Sequence, residues 1–304
     1  MSALMVLQYA PVMRGFLVLL AAGIVFPLVG VFVLRLNLIT LRFALMHSSL
    51  LGSAIALAAG FNPLLIGMLA NTAVVLSIAR LRTKTNQNVG FITTFFMVLT
   101  VGLAFAVIYR FNVSTNDSLQ ILWGNIYAMT PFDARMTAVY AACVVVFVVL
   151  LFPRLAAVLY DKDVATSIGI NEPLVYTAII LMVGLTITFV MRLIGALLLD
   201  AILILPPLMA IAVAKSMRGT FILSSIFGVT VAIGGFLLAI FADLPASSGV
   251  TIFGAVLFAG VHIIAARKKT RKPFQEDTRD AEISPNATHG SDRFDMRGIR
   301  RGSE

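Results

Sequence analysis

Long apolar runs follow one another along the chain from about Phe16 to about Ile264, separated by short polar turns. A helix needs about 17 to 25 apolar residues to cross a hydrocarbon core of roughly 30 Å. Runs of this kind lie near residues 14–34, 43–60, 64–80, 90–110, 136–158, 173–193, 195–214, 219–241 and 249–266. The sequence therefore predicts an all-α polytopic membrane protein with about nine transmembrane helices, within a range of eight to ten.

The composition agrees with a membrane protein and excludes cysteine chemistry. Hydrophobic residues make up 60% of the chain, charged residues 12%, and the mean hydropathy is +0.98, which lies outside the range of soluble domains. The first apolar run is longer than a signal-peptide core and lacks a clear small-residue cleavage site, so we expect it to be retained. Cys143 is the only cysteine, which excludes an intrachain disulfide and a cysteine metal cluster.

Lysine and arginine residues indicate the orientation of the chain. They occur at alternate turns, namely Arg35 and Arg42, Arg80 to Lys84, Arg154 and Lys162, Lys215 and Arg218, and the start of the tail. Cytoplasmic loops carry the excess of these residues, so an odd number of spans predicts the N-terminus outside and the C-terminus inside. The net charge of +9 then reflects topology and the tail. The cations are too dispersed to form a nucleic-acid-binding face.

The chain divides by composition into a membrane domain, residues 1–266, and a polar tail, residues 267–304. The tail is rich in both charge signs and has the composition of a disordered cytoplasmic segment. Its first basic cluster, RKKTRK, is expected to lie against anionic lipid.

His47 lies inside an apolar run, LRFALMHSSLLGSAIALAAGFNP, where an imidazole needs partners. An ionisable residue within a transmembrane segment indicates a functional site. The competing interpretation is a structural residue that forms hydrogen bonds with Ser48, Ser49 or a nearby carbonyl group. The sequence leaves both open. Asn71, in IGMLANTAVV, is more typical of a polar residue that holds helices together than of a ligand.

Asp200, in LLLDAILILPP, is the second ionisable residue predicted inside the membrane. An ionised aspartate there costs roughly 2.5 to 3.5 kcal/mol, so it needs a partner, a proton or a water-filled cavity. Arg192 is the obvious partner, although eight residues of continuous helix would separate the two backbones by about 12 Å. Gly195 could mark a turn that brings them together. Pro206 and Pro207 indicate either a gate element or a simple kink.

The loop YDKDVATSIGINEPLV contains a short predicted helix, DKDVATSIG, closed by Gly169 before Pro173. Asp161 and Asp163 lie at its start, where the helix dipole favours negative charge. The loop is either an ordinary capped connector or a docking helix for a soluble partner. A second polar excursion contains the short apolar piece ILWGNIYAM, which is predicted to be re-entrant or to lie at the membrane surface.

Several stretches taken together resemble the permease subunits of ABC importers for zinc, manganese and iron, over roughly residues 15 to 266. In chain order they are MHSSLLGSAIA, FNPLLIG, LQILWGNI, YDKDVATSIGI, IGALLLDAILILPPLMAIAVAKSMR and ADLPASSGVTIF. The resemblance implies a homodimeric permease in a bacterial-type plasma (inner) membrane. It also implies two cytoplasmic ATPase subunits that bind the ATP, and an extracytoplasmic binding protein that delivers the metal. No tightly bound cofactor is implied, since the divalent cation is the transported substrate.

The resemblance also implies roles for particular residues. The loop of residues 161–171 corresponds to the coupling helix that docks on the ATPase, with Asp161, Asp163, Ala165 and Gly169 as its marked positions. His47 lies where the family places a residue of the cation path. Family members usually carry an aspartate one turn before this histidine, where the present chain has Phe43.

Asp200 stands where family members usually have a small polar residue, so an acid is missing from one helix and present on another. We therefore predict that His47 and Asp200 are two stations on the cation path. Counted along their predicted spans, His47 lies near the cytoplasmic edge and Asp200 near the outer edge. The two would be about 13 Å apart along the membrane normal, too far for one shared site.

Other functional classes fit the sequence less well. The chain has no GxxxxGK[ST] phosphate loop, so any ATP must be used by another polypeptide. It has no HExxH or GxSxG motif, which argues against a polytopic enzyme. The competing interpretation is a stand-alone secondary transporter that uses His47 and Asp200 as a relay, although no inverted repeat is evident.

Overall fold

The computed structural model describes residues 9–85, 89–113 and 130–270, and this part of the chain is built from helices and turns. The helices are α1 (Ala10–Arg35), α2 (Ile39–Ala59), α3 (Pro63–Thr85), α4 (Val89–Arg110), α5 (Pro131–Tyr160), α6 (Lys162–Ser167), α7 (Glu172–Leu203), α8 (Leu205–Val213), α9 (Met217–Phe241) and α10 (Ala246–Thr270). The prediction of an all-α polytopic membrane protein is confirmed. The apolar piece ILWGNIYAM and the tail beyond residue 270 lie outside the described residues.

By its internal contacts the chain divides into a unit of residues 1–265 and a second unit of residues 266–304. The first unit holds the transmembrane fold. Of the second unit, the structure describes only the residues that end α10.

Within the described residues, eight helices are long and apolar enough to cross a membrane. They are Ala10–Arg35, Ile39–Ala59, Pro63–Arg82, Val89–Arg110, Ala134–Tyr160, Glu172–Met191, Met217–Phe241 and Ala246–Arg267. The remaining predicted span, residues 195–214, is a shorter apolar helix over Leu198–Val213. It is shorter because Gly195 interrupts α7 with φ 83° and ψ 167°, a conformation that glycine adopts easily and other residues do not.

The chain reverses direction at Gly195, as two contacts with α2 show. A side-chain atom at Gly184, on the first segment of α7, would touch Leu45. Asp200 forms an ion pair with Arg42, which lies three residues before Leu45, towards the start of α2. A straight helix would carry Asp200 about 24 Å beyond Gly184, away from Arg42. The residues after Gly195 therefore form an arm that folds back.

The arm returns the chain to the side of the membrane on which α7 begins. Arg218, in the first turn of α9, lies over the ring of Phe152 near the end of α5, with 5.8 Å between the guanidinium carbon and the ring centroid. The end of α5 leads through α6 into α7, so α7 and α9 start on the same side. The arm thus returns the chain across the membrane, as the predicted span of residues 195–214 was expected to do. The assignment of this side to the cytoplasm stays a prediction.

Pro206 and Pro207 follow a break at Ile204 within the apolar helix Leu198–Val213. Both lie at the N-terminal end of α8, where the missing backbone N–H groups would have no partner in any case. Both are buried. Both interpretations of this pair, a gate element and a kink, stay predictions.

Candidate cation path and docking helix

His47 lies on α2, whose position is set by a close approach to α3. A side-chain carbon at Gly52 would lie 2.7 Å from the Cα atom of Gly67, so the two backbones are almost in contact. Small residues allow such packing inside a membrane, where the hydrophobic effect does not drive helices together. The imidazole of His47 is thereby held on a helix that packs tightly against α3.

The imidazole of His47 is half-buried, and its Nδ1 atom is fully buried with no hydrogen-bond partner in the described part of the chain. The buried hydroxyl of Ser48 also lacks a partner there. A buried polar atom left unpaired costs about 1 to 3 kcal/mol. The sequence offered Ser48 and Ser49 as structural partners for His47, but among the described residues Nδ1 makes no such bond.

Asp200 forms an ion pair with Arg42, a partner that the sequence did not suggest. Arg42 Nη1 forms an ion pair with Asp200 Oδ1, and the guanidinium also lies over the ring of Phe43, 4.2 Å from its centroid. The Arg42 side chain is 6% exposed and that of Asp200 is 47% exposed. The side chain of Arg192 lies outside the described residues.

The predicted depth of Asp200 is wrong. That prediction placed Asp200 near the outer edge, because it treated residues 195–214 as a straight span beginning at the membrane surface. The arm instead brings Asp200 to Arg42, which is five residues, or about 7.5 Å along the axis of α2, from His47. Both predicted stations therefore lie towards the start of α2.

The described residues contain no group of three or more histidine, cysteine, aspartate or glutamate side chains that could hold a metal ion. His47 and Asp200 belong to no group of that size in this part of the chain, and their role as two stations stays a prediction.

Asn71 joins α3 to the first segment of α7. Its Nδ2 donates to the Gly184 carbonyl at 3.2 Å and to Thr188 Oγ1 at 2.5 Å, and all three residues are buried. The interpretation of Asn71 as a residue that holds helices together is confirmed. On the other side of α7, Tyr140 of α5 forms a 2.7 Å hydrogen bond with Thr186.

The predicted short helix is present as α6, with the predicted cap. Asp161 Oδ1 accepts from the backbone N–H groups of Asp163 at 2.7 Å and Val164 at 3.1 Å. Gly169 ends the element with φ 81°, and Ile170 N donates back to the Ala165 carbonyl at 3.1 Å. These hydrogen bonds give α6 a defined shape.

The side chains of α6 divide into an inner and an outer set. Ala165 is fully buried, so it anchors the helix to its own chain. Val164 and Ile168, four residues apart, are 49% and 64% exposed. Residues at this spacing share one helix face. This outward apolar pair was not predicted from the sequence, although its spacing of four residues could have revealed it.

A second ion pair lies directly after α6. Arg82 Nη2, in the last turn of α3, donates to Glu172 Oε1 at 2.7 Å. The Arg82 guanidinium also lies 3.8 Å from the centroid of the Tyr176 ring. This contact was not predicted from the sequence, because the two charged residues are 90 positions apart.

The apolar spanning helices, together with the folded-back arm, are those of a multi-pass membrane protein. Residues 8–265 match the ABC 3 transport family, and the chain belongs to that family. The predicted relationship to the metal ABC transporter permeases is therefore confirmed.

Individual relatives agree with this assignment over most of their length. The manganese import system permease protein ScaB of Streptococcus parasanguinis is 25% identical over 269 residues, which cover 87% of this chain and 94% of ScaB. The manganese transport system membrane protein MntC of Listeria monocytogenes is 23% identical, with 86% and 93% covered. These relatives are named as membrane components of transport systems and not as enzymes.

A solved structure shares the fold. The structure of PsaBC from Streptococcus pneumoniae in complex with Fab matches with a TM-score of 0.77 and 21% sequence identity, covering 88% of this chain and 96% of the matched chain. The helical arrangement described above is thus one that a chain of this solved structure also adopts.

Proposed function

We propose that this protein is the permease subunit of an ATP-driven importer for a divalent transition-metal cation, working by alternating access in a bacterial-type plasma membrane. Membership of the ABC 3 transport family supports this proposal. Manganese is the first candidate because ScaB and MntC are both named for it. Zinc and iron(II) are the other candidates, since all three cations accept nitrogen and oxygen ligands.

The proposed assembly contains two copies of this permease, two ATPase subunits and an extracytoplasmic binding protein. The chain has no phosphate-binding loop, so the energy of ATP must enter from another polypeptide. The permease then supplies a path that opens first to the binding protein and later to the cytoplasm.

The observation that carries the proposal is the buried Nδ1 atom of His47, on a spanning helix, which has no hydrogen-bond partner among the described residues. An imidazole nitrogen is a good ligand for a divalent transition metal, and an atom without a protein partner is free to serve as one. A single nitrogen replaces only part of the water shell of the cation, so the cation can leave again. Asp200 is the second proposed station, reached when Arg42 moves away.

Transport measurements test the substrate and the energy source together. Cells that produce this permease with its cognate ATPase and binding protein are supplied with manganese, zinc or iron(II) separately. Manganese is expected to accumulate above the level of cells without the permease. In the matched control, the ATPase carries a substitution that prevents ATP hydrolysis, and uptake should then fall to background. Uptake that persists in this control would support the secondary transporter instead.

We further propose that α6 is the helix that docks on the ATPase, with Val164 and Ile168 as its contact residues. Asp161, Asp163 and Gly169 shape the helix, and Ala165 anchors it from below. Exposed apolar side chains on a rigid, capped element are suited to a pocket on a partner, because little conformational entropy is lost on binding.

Changing Ile168 to Asp is expected to reduce co-purification of the cognate ATPase by about tenfold or more, as for a central interface residue. The aspartate would bury a charge in an apolar contact without disturbing the fold, since Ile168 is exposed. Ile168→Leu keeps the apolar surface and serves as the control. Undiminished ATPase binding by a variant that carries both Val164→Asp and Ile168→Asp would contradict this assignment.

A further inference from the structure

The Arg82–Glu172 ion pair connects the two elements that the proposed mechanism must move together. Glu172 is the first residue of α7 and follows α6 after four residues, whereas Arg82 lies in the last turn of α3. We propose that Arg82 is a positioning residue that carries the movement of the docking helix into α3, and so towards His47. This inference rests on the proposed function.

The Arg82 guanidinium is held by two residues of α7, Glu172 and Tyr176. The 2.7 Å bond to Glu172 is charge-assisted, and the Tyr176 ring supports the guanidinium at 3.8 Å. Glu172 and Tyr176 are one helical turn apart, so both belong to the first turns of α7. The side chains of Arg82 and Glu172 are 23% and 13% exposed, which limits screening by solvent.

The connection from α6 to Glu172 is short and hydrogen-bonded. Ile170 N donates to the Ala165 carbonyl at 3.1 Å, and Asn171 Oδ1 accepts from Leu174 N at 3.2 Å as the cap of α7. Ala165 is the fully buried residue of α6. With its linker held at both ends in this way, α6 moves together with the first turn of α7.

The connection from Arg82 to α2 runs along α3. Asn71 lies about 16 Å from Arg82 along the axis of α3 and forms hydrogen bonds with Gly184 and Thr188. These bonds are a second joint between α3 and α7, the first being the Arg82–Glu172 pair. Close to the second joint, Gly67 packs against the α2 backbone at Gly52. Because the Arg82–Glu172 pair and the hydrogen bonds of Asn71 join them at two points, α3 and the first segment of α7 form one body, and α2 packs against it.

Loss of the Arg82–Glu172 pair removes the charge-assisted bond at this end of α3 and leaves the hydrogen bonds of Asn71. A push on α6 is then expected to move the start of α7 further than the end of α3, because the strongest contact between the two ends is gone. ATP hydrolysis and the movement of α2 should become uncoupled, although the docking surface on α6 is untouched. Weakened docking would have a different signature, since the ATPase would then no longer bind.

The test uses the complete transporter in proteoliposomes and measures manganese transported per ATP hydrolysed. Arg82→Gln and Glu172→Gln are each expected to lower this ratio by about tenfold, the effect of one charge-assisted hydrogen bond. The double variant should be no worse than either single variant, and the charge swap Arg82→Glu with Glu172→Arg should recover to within about threefold of the original ratio. ATPase co-purification should stay unchanged in all of them.

Lys84→Gln is the matched control, because it removes an exposed positive charge from the same end of α3. It should leave the ratio unchanged. An unchanged ratio in Arg82→Gln, additive losses in the double variant, or loss of ATPase binding would each overturn the proposal. Failure of the unaltered transporter to move metal or bind the ATPase would contradict the proposed function instead.

A second measurement does not depend on transport. Spin labels on cysteines placed at Lys84 and Leu174, with Cys143 replaced by alanine, report the distance between the ends of α3 and α7 in the isolated permease. The distance distribution is expected to be narrow in the unaltered protein and to broaden with Arg82→Gln. A distribution that stays equally narrow would overturn the proposed joint.

Discussion

Replacing His47 with alanine is expected to reduce metal uptake by about ten- to a hundredfold, the range found when metal-binding groups are disturbed in proteins. The Nδ1 atom of His47 is the buried nitrogen without a hydrogen-bond partner in the described part of α2. Without it, the cation would have to give up water at this depth for no replacement ligand. Uptake by cells that contain equal amounts of each variant is the measurement.

The stability of the same protein separates transport from a structural role. A structural histidine would lower the unfolding temperature when replaced, because the hydrogen bonds it made would be lost. Since Nδ1 of His47 makes no hydrogen bond among the described residues, its replacement should not lower the unfolding temperature. His47→Leu, which keeps most of the volume, is expected to unfold at the same temperature as the unaltered protein or higher.

Met46→Leu on the neighbouring, half-buried position is the control for changes to α2. It should change neither uptake nor unfolding. Normal uptake by a well-expressed His47→Ala protein would show that the imidazole takes no part in transport.

Changing Asp200 to asparagine is expected to lower the yield of folded protein, because it leaves the buried guanidinium of Arg42 without its counterion. Breaking a fully buried ion pair costs about 3 to 5 kcal/mol, and the cost here should be smaller because the Asp200 side chain is half exposed. The addition of Arg42→Gln should restore the yield. Size-exclusion profiles and thermal unfolding in detergent measure both effects.

Uptake by the restored double variant decides the role of Asp200. If the carboxylate is a station on the cation path, uptake stays low although the protein folds. If Asp200 serves only as the counterion of Arg42, uptake returns with the yield. Arg42→Gln alone is the matched comparison, since it leaves Asp200 half exposed and free to bind a cation.

Much of the architecture follows from the sequence alone. In hydrocarbon every backbone polar group must be paired within the chain, so an apolar run of sufficient length has a helix as its local solution. The short helix α6 was also predictable, because the Asp161 cap and the Gly169 terminus act within a few residues of each other. Membership of the permease family followed from the same local stretches in their order.

The partners of the charged residues were decided only by the tertiary structure. The backbone conformation at Gly195 reverses the chain and brings Asp200 to Arg42, a contact that no local pattern contains. The sequence suggested only Arg192 as a partner of Asp200, because it is close along the chain, and the side chain of Arg192 lies outside the described residues. The pairing of Arg82 with Glu172 was not predicted, because the two residues are far apart along the chain. Hydropathy determines which segments enter the membrane, since the free energy of transferring a segment depends on the residues of that segment. Which buried charges meet depends on how all the helices pack together.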